Sequence, residues 1–165
     1  MFLIWIQFRP LRTIGLIFAL ACLPLSAAFA QEKCSTQMSM QADDSLVHAR
    51  RSWPLLLQHQ RKFHSCDDGA LADGYSEAVT HLLAQRWDKF ETLATIANKN
   101  PSFKRWAIRH IDASAAQDNL NAIILNTVTC PSDATIERLC QAIRHAASEA
   151  LAESEAPGDK AQAPR

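Results

Sequence analysis

Glycine is scarce in this chain, 4 residues in 165, and nowhere do the glycines form a loop able to cradle phosphate. Other familiar catalytic signatures are missing too, with no G-x-S-x-G elbow and no H-E-x-x-H pair. No C-x-x-C occurs, and the cysteines are not joined to histidines at finger spacing, which argues against zinc-finger and thioredoxin-type chemistry. Lysine and arginine form no block. The 17 basic residues balance 17 acidic ones, so nothing is built to track a phosphate backbone or an anionic leaflet. Nucleic acid is therefore not an expected partner, and neither is a membrane surface. No segment alternates with a period of two, which removes the sheet.

The chain begins with an address. Arg9 and Arg12 precede an apolar run from Ile14 to Leu25, and Ala28-Phe29-Ala30 is a small-x-small cleavage site, so residues 1–30 read as a signal peptide. The run is shorter than the roughly 20 residues a membrane span needs and contains Pro24, so no stable membrane insertion is expected after cleavage. A minor alternative is lipoprotein processing at Cys22. Removal of residues 1–30 takes away two basic residues and no acidic one, leaving 135 residues with a balance of −2. A chain of that length supports one hydrophobic core. The expected location is periplasmic or secreted.

Four cysteines remain, Cys34, Cys66, Cys130 and Cys140, and an even number behind a secretory leader implies two disulfides. Three connectivities are possible, and Cys34–Cys66 with Cys130–Cys140 is favoured. If a last helix starts near Asp133, Cys140 lies about 10 Å along its axis. An extended stretch of three residues spans about the same distance, so Cys130 can fold back beside it.

Apolar residues recur at helical spacing through most of the rest. Residues 31–51 read as an N-terminal segment tied down by a disulfide, irregular to Ala42, with a helical turn from Asp44 to Arg51. Residues 52–152 read as a helical domain. Ser52-Trp53-Pro54 opens a helix with Trp53, Leu56, Leu57 and Phe63 on its core face. A second carries Tyr75, Ala78, Val79, Leu82 and Leu83, and a third Phe90, Leu93, Ala94 and Ala97. Asn100-Pro101 restarts the chain for Phe103, Trp106, Ala107, His110 and Ile111. Ser114-Ala115-Ala116-Gln117 has capping-box spacing ahead of Leu120, Ile123, Ile124 and Val128. The last stripe is Ile136, Leu139, Cys140, Ile143 and Ala147. From Glu153 the composition turns to Ala, Glu, Pro, Gly, Asp and Lys, and residues 153–165 read as a disordered tail. The expected fold is all-α: a compact bundle, or a short HEAT-like stack, of about six short antiparallel helices stapled by two disulfides.

Polar groups of types that can carry chemistry gather at His64, Cys66, Asp67, Asp68 and His81. Carboxylates with imidazoles can bind metal or divide acid and base roles. Asp67 and Asp68, however, stand where a helix start wants negative charge, and an oxidised Cys66 is neither nucleophile nor ligand. His110 occupies a stripe position where an aliphatic residue is the norm, which suggests a core histidine bonded to a carbonyl or a nearby acid, or else a group lining a cavity. His110, Trp106 and Tyr75 are the candidate cavity or ligand residues. Trp53, Trp87 and Trp106 read as packing at helix ends. No catalytic residue, metal ligand set or cofactor is assigned.

The motifs Ser52-Trp53-Pro54, Cys66-Asp67-Asp68-Gly69-Ala70, Gly74-Tyr75-Ser76-Glu77, Leu83-Ala84, Trp87-Asp88, Arg109-His110-Ile111-Asp112 and Cys130-Pro131 resemble a group of short exported bacterial proteins without assigned activity. In architecture the chain is also similar to the periplasmic immunity proteins of type VI secretion amidase effectors, which are small, all-α and disulfide-bonded. That resemblance implies a binding or interaction module, immunity- or inhibitor-like, whose partner is another envelope protein. The alternatives are a metal-binding protein or enzyme using His64, Asp67, Asp68, His81 or His110, and a structural helper of envelope assembly.

Overall fold

Ser35 opens the first helix, its Oγ accepting from the Met38 N–H at 3.2 Å. The structure is a computed structural model, described over residues 33–156. The leader, the Cys22 site and residues 157–165 of the expected tail lie outside the described residues. Helix α1 (Thr36–Ala49) thus begins well ahead of the turn expected at Asp44, in a stretch read as irregular. Its buried stripe is only Ala42, Leu46 and Ala49, too small and too widely spaced among polar residues to stand out.

Six further α-helices follow: α2 (Trp53–Phe63), α3 (Gly69–Gln85), α4 (Phe90–Lys99), α5 (Pro101–Arg109), α6 (Gln117–Asn126) and α7 (Ala134–Glu155). Short 3-10 turns at His64–Cys66, Trp87–Lys89 and Thr127–Thr129 fill the junctions, and no strand occurs among the described residues. The starts marked by Pro54 and Pro101 hold at α2 and α5, although neither Ser52 nor Asn100 makes the expected side-chain cap bond. The capping box expected at α6 fails as well. Asp112 Oδ1 accepts from both the Ser114 N–H (2.9 Å) and the Ser114 hydroxyl (2.6 Å), so Ser114 closes a turn on Asp112 and α6 starts after Ala116 without a side-chain cap. The far end differs as well. Helix α7 continues to Glu155, into the stretch read as tail.

Ala42 meets His59 and Met38 meets Ser65 just past α2, so α2 returns antiparallel along α1, but α3 packs on parallel neighbours. Cys34 meets Cys66, Leu46 faces Gly74 and Arg50 reaches Glu77, so α1 and α3 advance side by side in the same direction. Asn126 Nδ2 donates to the carbonyls of Leu83 and Ala84, each at 3.0 Å, which places the C-terminal ends of α3 and α6 together. Arg144 donates to the Thr127 carbonyl (2.7 Å) and hydroxyl (2.9 Å), while Gln117 reaches Ser154, so α7 returns antiparallel along α6. The fold is a seven-helix bundle with α3 at its centre, packed against α1 and α6.

Both disulfides take the favoured pairing. Cys34–Cys66 ties the start of α1 to the turn after α2, with Cα atoms 4.8 Å apart. Cys130–Cys140 ties the α6–α7 link to α7, with Cα atoms 6.4 Å apart. Two glycines have visible jobs. Gly69 begins α3 at φ +52°, a conformation side chains resist. A Cβ on Gly74 would sit 2.7 Å from Leu46 Cδ2, so its bare backbone lets α1 lie close to α3. Val128, expected on the core face, instead points outward from its 3-10 turn, which buries Thr127.

Candidate functional site

The Cys34–Cys66 disulfide and the start of α3 force the two neighbouring acids apart. Asp68 caps α3, its Oδ1 accepting from the Gly69 N–H at 2.8 Å. Asp67, one residue earlier, turns inward and only 8% of its side chain stays exposed. There its Oδ2 accepts from Trp106 Nε1 (2.9 Å), Arg109 Nη2 (2.6 Å) and His110 Nε2 (3.3 Å). Oδ1 lies 3.1 Å from the same His110 nitrogen, yet it is buried without a hydrogen bond of good geometry. Burial pushes the Asp67 carboxyl up, but the hydrogen bonds and charges of His110, Trp106 and Arg109 outweigh it and hold it below the usual carboxylate value.

His110, 4% exposed at the end of α5, faces a carboxylate through Nε2, so that nitrogen carries a hydrogen and donates. Its Nδ1 lies 3.1 Å from Ser76 Oγ on α3, and Ser76 in turn donates to Asp112 Oδ2 at 2.6 Å. Burial again raises Asp112, and hydrogen bonds from Ser114 and Ser76, with His110 nearby, bring it net below its ordinary range. The run Asp67–His110–Ser76 has the order of a charge-relay triad. It lacks the access such chemistry needs, because Ser76 is 1% exposed in mid-helix and its short bond to Asp112 uses its only proton. What this arrangement does is link α3, α5 and the α5–α6 junction through buried Ser76 and His110 and half-buried Asp112.

A second polar cluster adjoins it through Tyr75. His59 on α2 is buried, with Nε2 3.0 Å from the Ala42 carbonyl and 3.0 Å from Ser45 Oγ. The carbonyl has no hydrogen to give, so Nε2–H donates and Nδ1 accepts from the Tyr75 hydroxyl at 2.8 Å. Burial is the main reason that His59 is held below its ordinary value; the Ala42 carbonyl works against that and Lys62 adds to it. Burial also drives the Tyr75 phenol far above its usual range, keeping it a donor.

Tyr75, Trp106 and His110, singled out as cavity residues, do meet. Tyr75 stands edge-on to Trp106 (centroids 5.0 Å apart) and to His110 (5.6 Å), and Trp106 lies 4.7 Å from His110. Their rings fill the space between them, and all three are buried. Of the five residues of the metal or enzyme reading, only Asp67 and His110 come together. His64 is exposed, with Nδ1 on the Arg61 carbonyl, Asp68 is a cap, and His81 is exposed on α3. Among the described residues no group of three or more His, Cys, Asp or Glu is placed to hold a metal ion. The tryptophans pack in separate places, Trp53 in the core at the head of α2 and Trp87 stacked on Phe90 at 4.3 Å. His145 reaches Glu149, one turn on, at 3.4 Å, whereas Glu77, one turn before His81, pairs with Arg50.

Ser76, Asp112 and His59 carry much of this geometry and were not singled out by the pattern. His59 had a signal, since Leu56, His59 and Phe63 stand at i, i+3 and i+7. Ser76 and Thr80 had none, because α3 is buried on more than one face and its second stripe is polar.

These clusters set an acid-side stability profile. Unfolded His59 takes up a proton near 6.5, whereas the folded protein resists until a lower pH. Its contribution is therefore full above about pH 7 and declines as pH falls through the ordinary histidine value. The Asp67 and Asp112 contributions are full above their unfolded value of 3.8 and are lost as pH falls below it. Urea midpoints should accordingly fall in two stages on acidification. His59→Gln should flatten the stage between pH 7 and 5 and leave the one below pH 4; a slope unchanged by that substitution contradicts the assignment.

Comparison with protein families, with curated proteins and with solved structures finds no match.

Proposed function

We propose that this chain is an exported, periplasmic helical binding module, immunity- or inhibitor-like, that covers part of another envelope protein. The observation that carries the reading is the surface around α4. A groove of about 500 Å³ between α2 and α4 is walled by Pro54, Leu57 and Ile96. On its other side, α4 borders α7 and the start of α5 across two adjoining clefts of about 180 and 400 Å³, lined by Ala94, Pro101, Ile136 and Leu139 among others. One helix thus stands as a ridge between two partly apolar grooves, a shape suited to an extended or helical partner segment. The internal polar clusters hold this frame and offer no reacting face. Among the described residues no helix is long and apolar enough to cross a membrane.

Thr95 is exposed and borders grooves on both sides of α4. Affinity capture from periplasm under non-reducing conditions should recover a defined envelope protein with the native chain, and Thr95→Arg should lose it while melting at the native temperature. Recovery of the same protein by the folded variant, or no specific capture by the native chain, overturns the reading. A partner that is a toxin or hydrolase supports the inhibitor form, and an assembly factor supports the helper form instead.

A further inference from the structure

Sharing no lining residue with these grooves, α1 and α3 enclose a cleft of about 460 Å³ lined by Val47, Arg50, Arg51, His81, Leu82 and Arg86. No carboxylate lines it. Val47 is 57% exposed and forms an uncovered aliphatic wall, with Leu82 buried behind it. Arg50 gives one nitrogen to Glu77 and Arg86 one to Asp88, each at 3.2 Å, and both side chains remain 44% exposed. A guanidinium has five N–H donors in a planar fork, so each keeps donors for a second partner. Arg51 is exposed and pairs with no carboxylate among the described residues.

The C-terminal carbonyls of α1 and α3 favour cations nearby and account for some of this charge. They do not account for an exposed valine lining the same cleft as three arginines. We propose that the cleft docks an acidic protein segment, its carboxylates on Arg50, Arg51 and Arg86 and an aliphatic side chain against Val47 and Leu82. This rests on the binding-module reading but uses a different face. The flanks explain why the occupant is a short acidic segment. Asp43 and Asp44 lie one turn before Val47 on α1, and Glu77 and Asp88 border the arginines. A long polyanion or an anionic leaflet would meet those carboxylates as soon as it extended past the cleft, whereas a few side chains fit within it.

The test uses residues 31–165, oxidised, and a fluorescein-labelled peptide of alternating glutamate and leucine, read by anisotropy at low salt. Saturable binding is expected, weakened about tenfold or more by Arg51→Glu with Arg86→Glu and by replacing the peptide's glutamates with glutamine. Val47→Asp should weaken it as well, and circular dichroism melts should show each variant folded. Thr95→Arg should leave peptide binding unchanged, so failure at the α4 grooves and failure here are separate results. The proposal is overturned by absence of saturable binding, by retention of binding in the folded arginine variant, or by equal binding of the glutamine peptide. Preferred binding to phosphatidylglycerol vesicles or to single-stranded DNA overturns it too.

Discussion

Asp67→Ala is expected to destabilise the fold by about 3 kcal/mol or more, against about 1 kcal/mol for Asp68→Ala immediately beside it. The difference follows from where each carboxylate ends. Asp68 satisfies one N–H at an exposed helix start, and water can replace it. Asp67 serves the Trp106 indole and the His110 imidazole, both buried, and alanine would leave those donors without that acceptor. Arg109 adds little, because its side chain is 66% exposed and recovers water when the pair breaks. Asp67→Asn should fall between the two, keeping an acceptor for Trp106 while giving up the charge beside His110. Urea unfolding of the three variants at pH 7 decides the matter; equal losses for the two alanine variants would show that Asp67 is no more than another helix-start acid.

The second large effect is loss of the Cys34–Cys66 bridge. It spans 32 residues and Cys130–Cys140 spans 10, so restriction of the unfolded chain alone gives about 3.7 kcal/mol for the first and about 2.7 kcal/mol for the second. The gap should widen, because Cys66 also sets the backbone from which Asp67 turns inward. Cys34→Ala with Cys66→Ala should therefore lower the urea midpoint more than Cys130→Ala with Cys140→Ala. Adding Asp67→Ala to the first pair should cost less than it does in the native chain, since part of that loss is already incurred. Strict additivity would show that the bridge and the Asp67 cluster act independently.

Much of the fold is legible in the chain because helix formation is written at short range. Tyr75, Ala78, Val79, Leu82 and Leu83 announce α3 by spacing alone, and Pro101 announces the start of α5. Helix geometry between Asp133 and Cys140 is enough to favour the Cys130–Cys140 pair. The candidate site was legible only in part. His110 on an apolar stripe marked itself as a histidine needing a partner, and one alternative read there, a nearby acid, is the arrangement in the structure. That the acid is Asp67 and not Asp68 has no local signal, since both are equally suited to precede a helix. His59 was passed over because its neighbours Gln58, Gln60, Arg61 and Lys62 give its surroundings a solvent-facing composition.

By itself, then, the sequence determined the helical class, the absence of sheet among the described residues and the residues available to staple the chain. Each of those depends on residues within about two helical turns of one another or on simple counts. Only the tertiary structure decided which acid goes inside, that α1, α3 and α6 lie as parallel neighbours, and that Arg86 lines one cleft with Val47, Arg50 and Arg51. Those outcomes join residues far apart in the chain: 39 positions separate Asp67 from Trp106 and 43 separate it from His110. At such separations a polar group's partner is set by how the helices stack, and hydrophobic periodicity, which specifies only the buried face of each helix, leaves that stacking open.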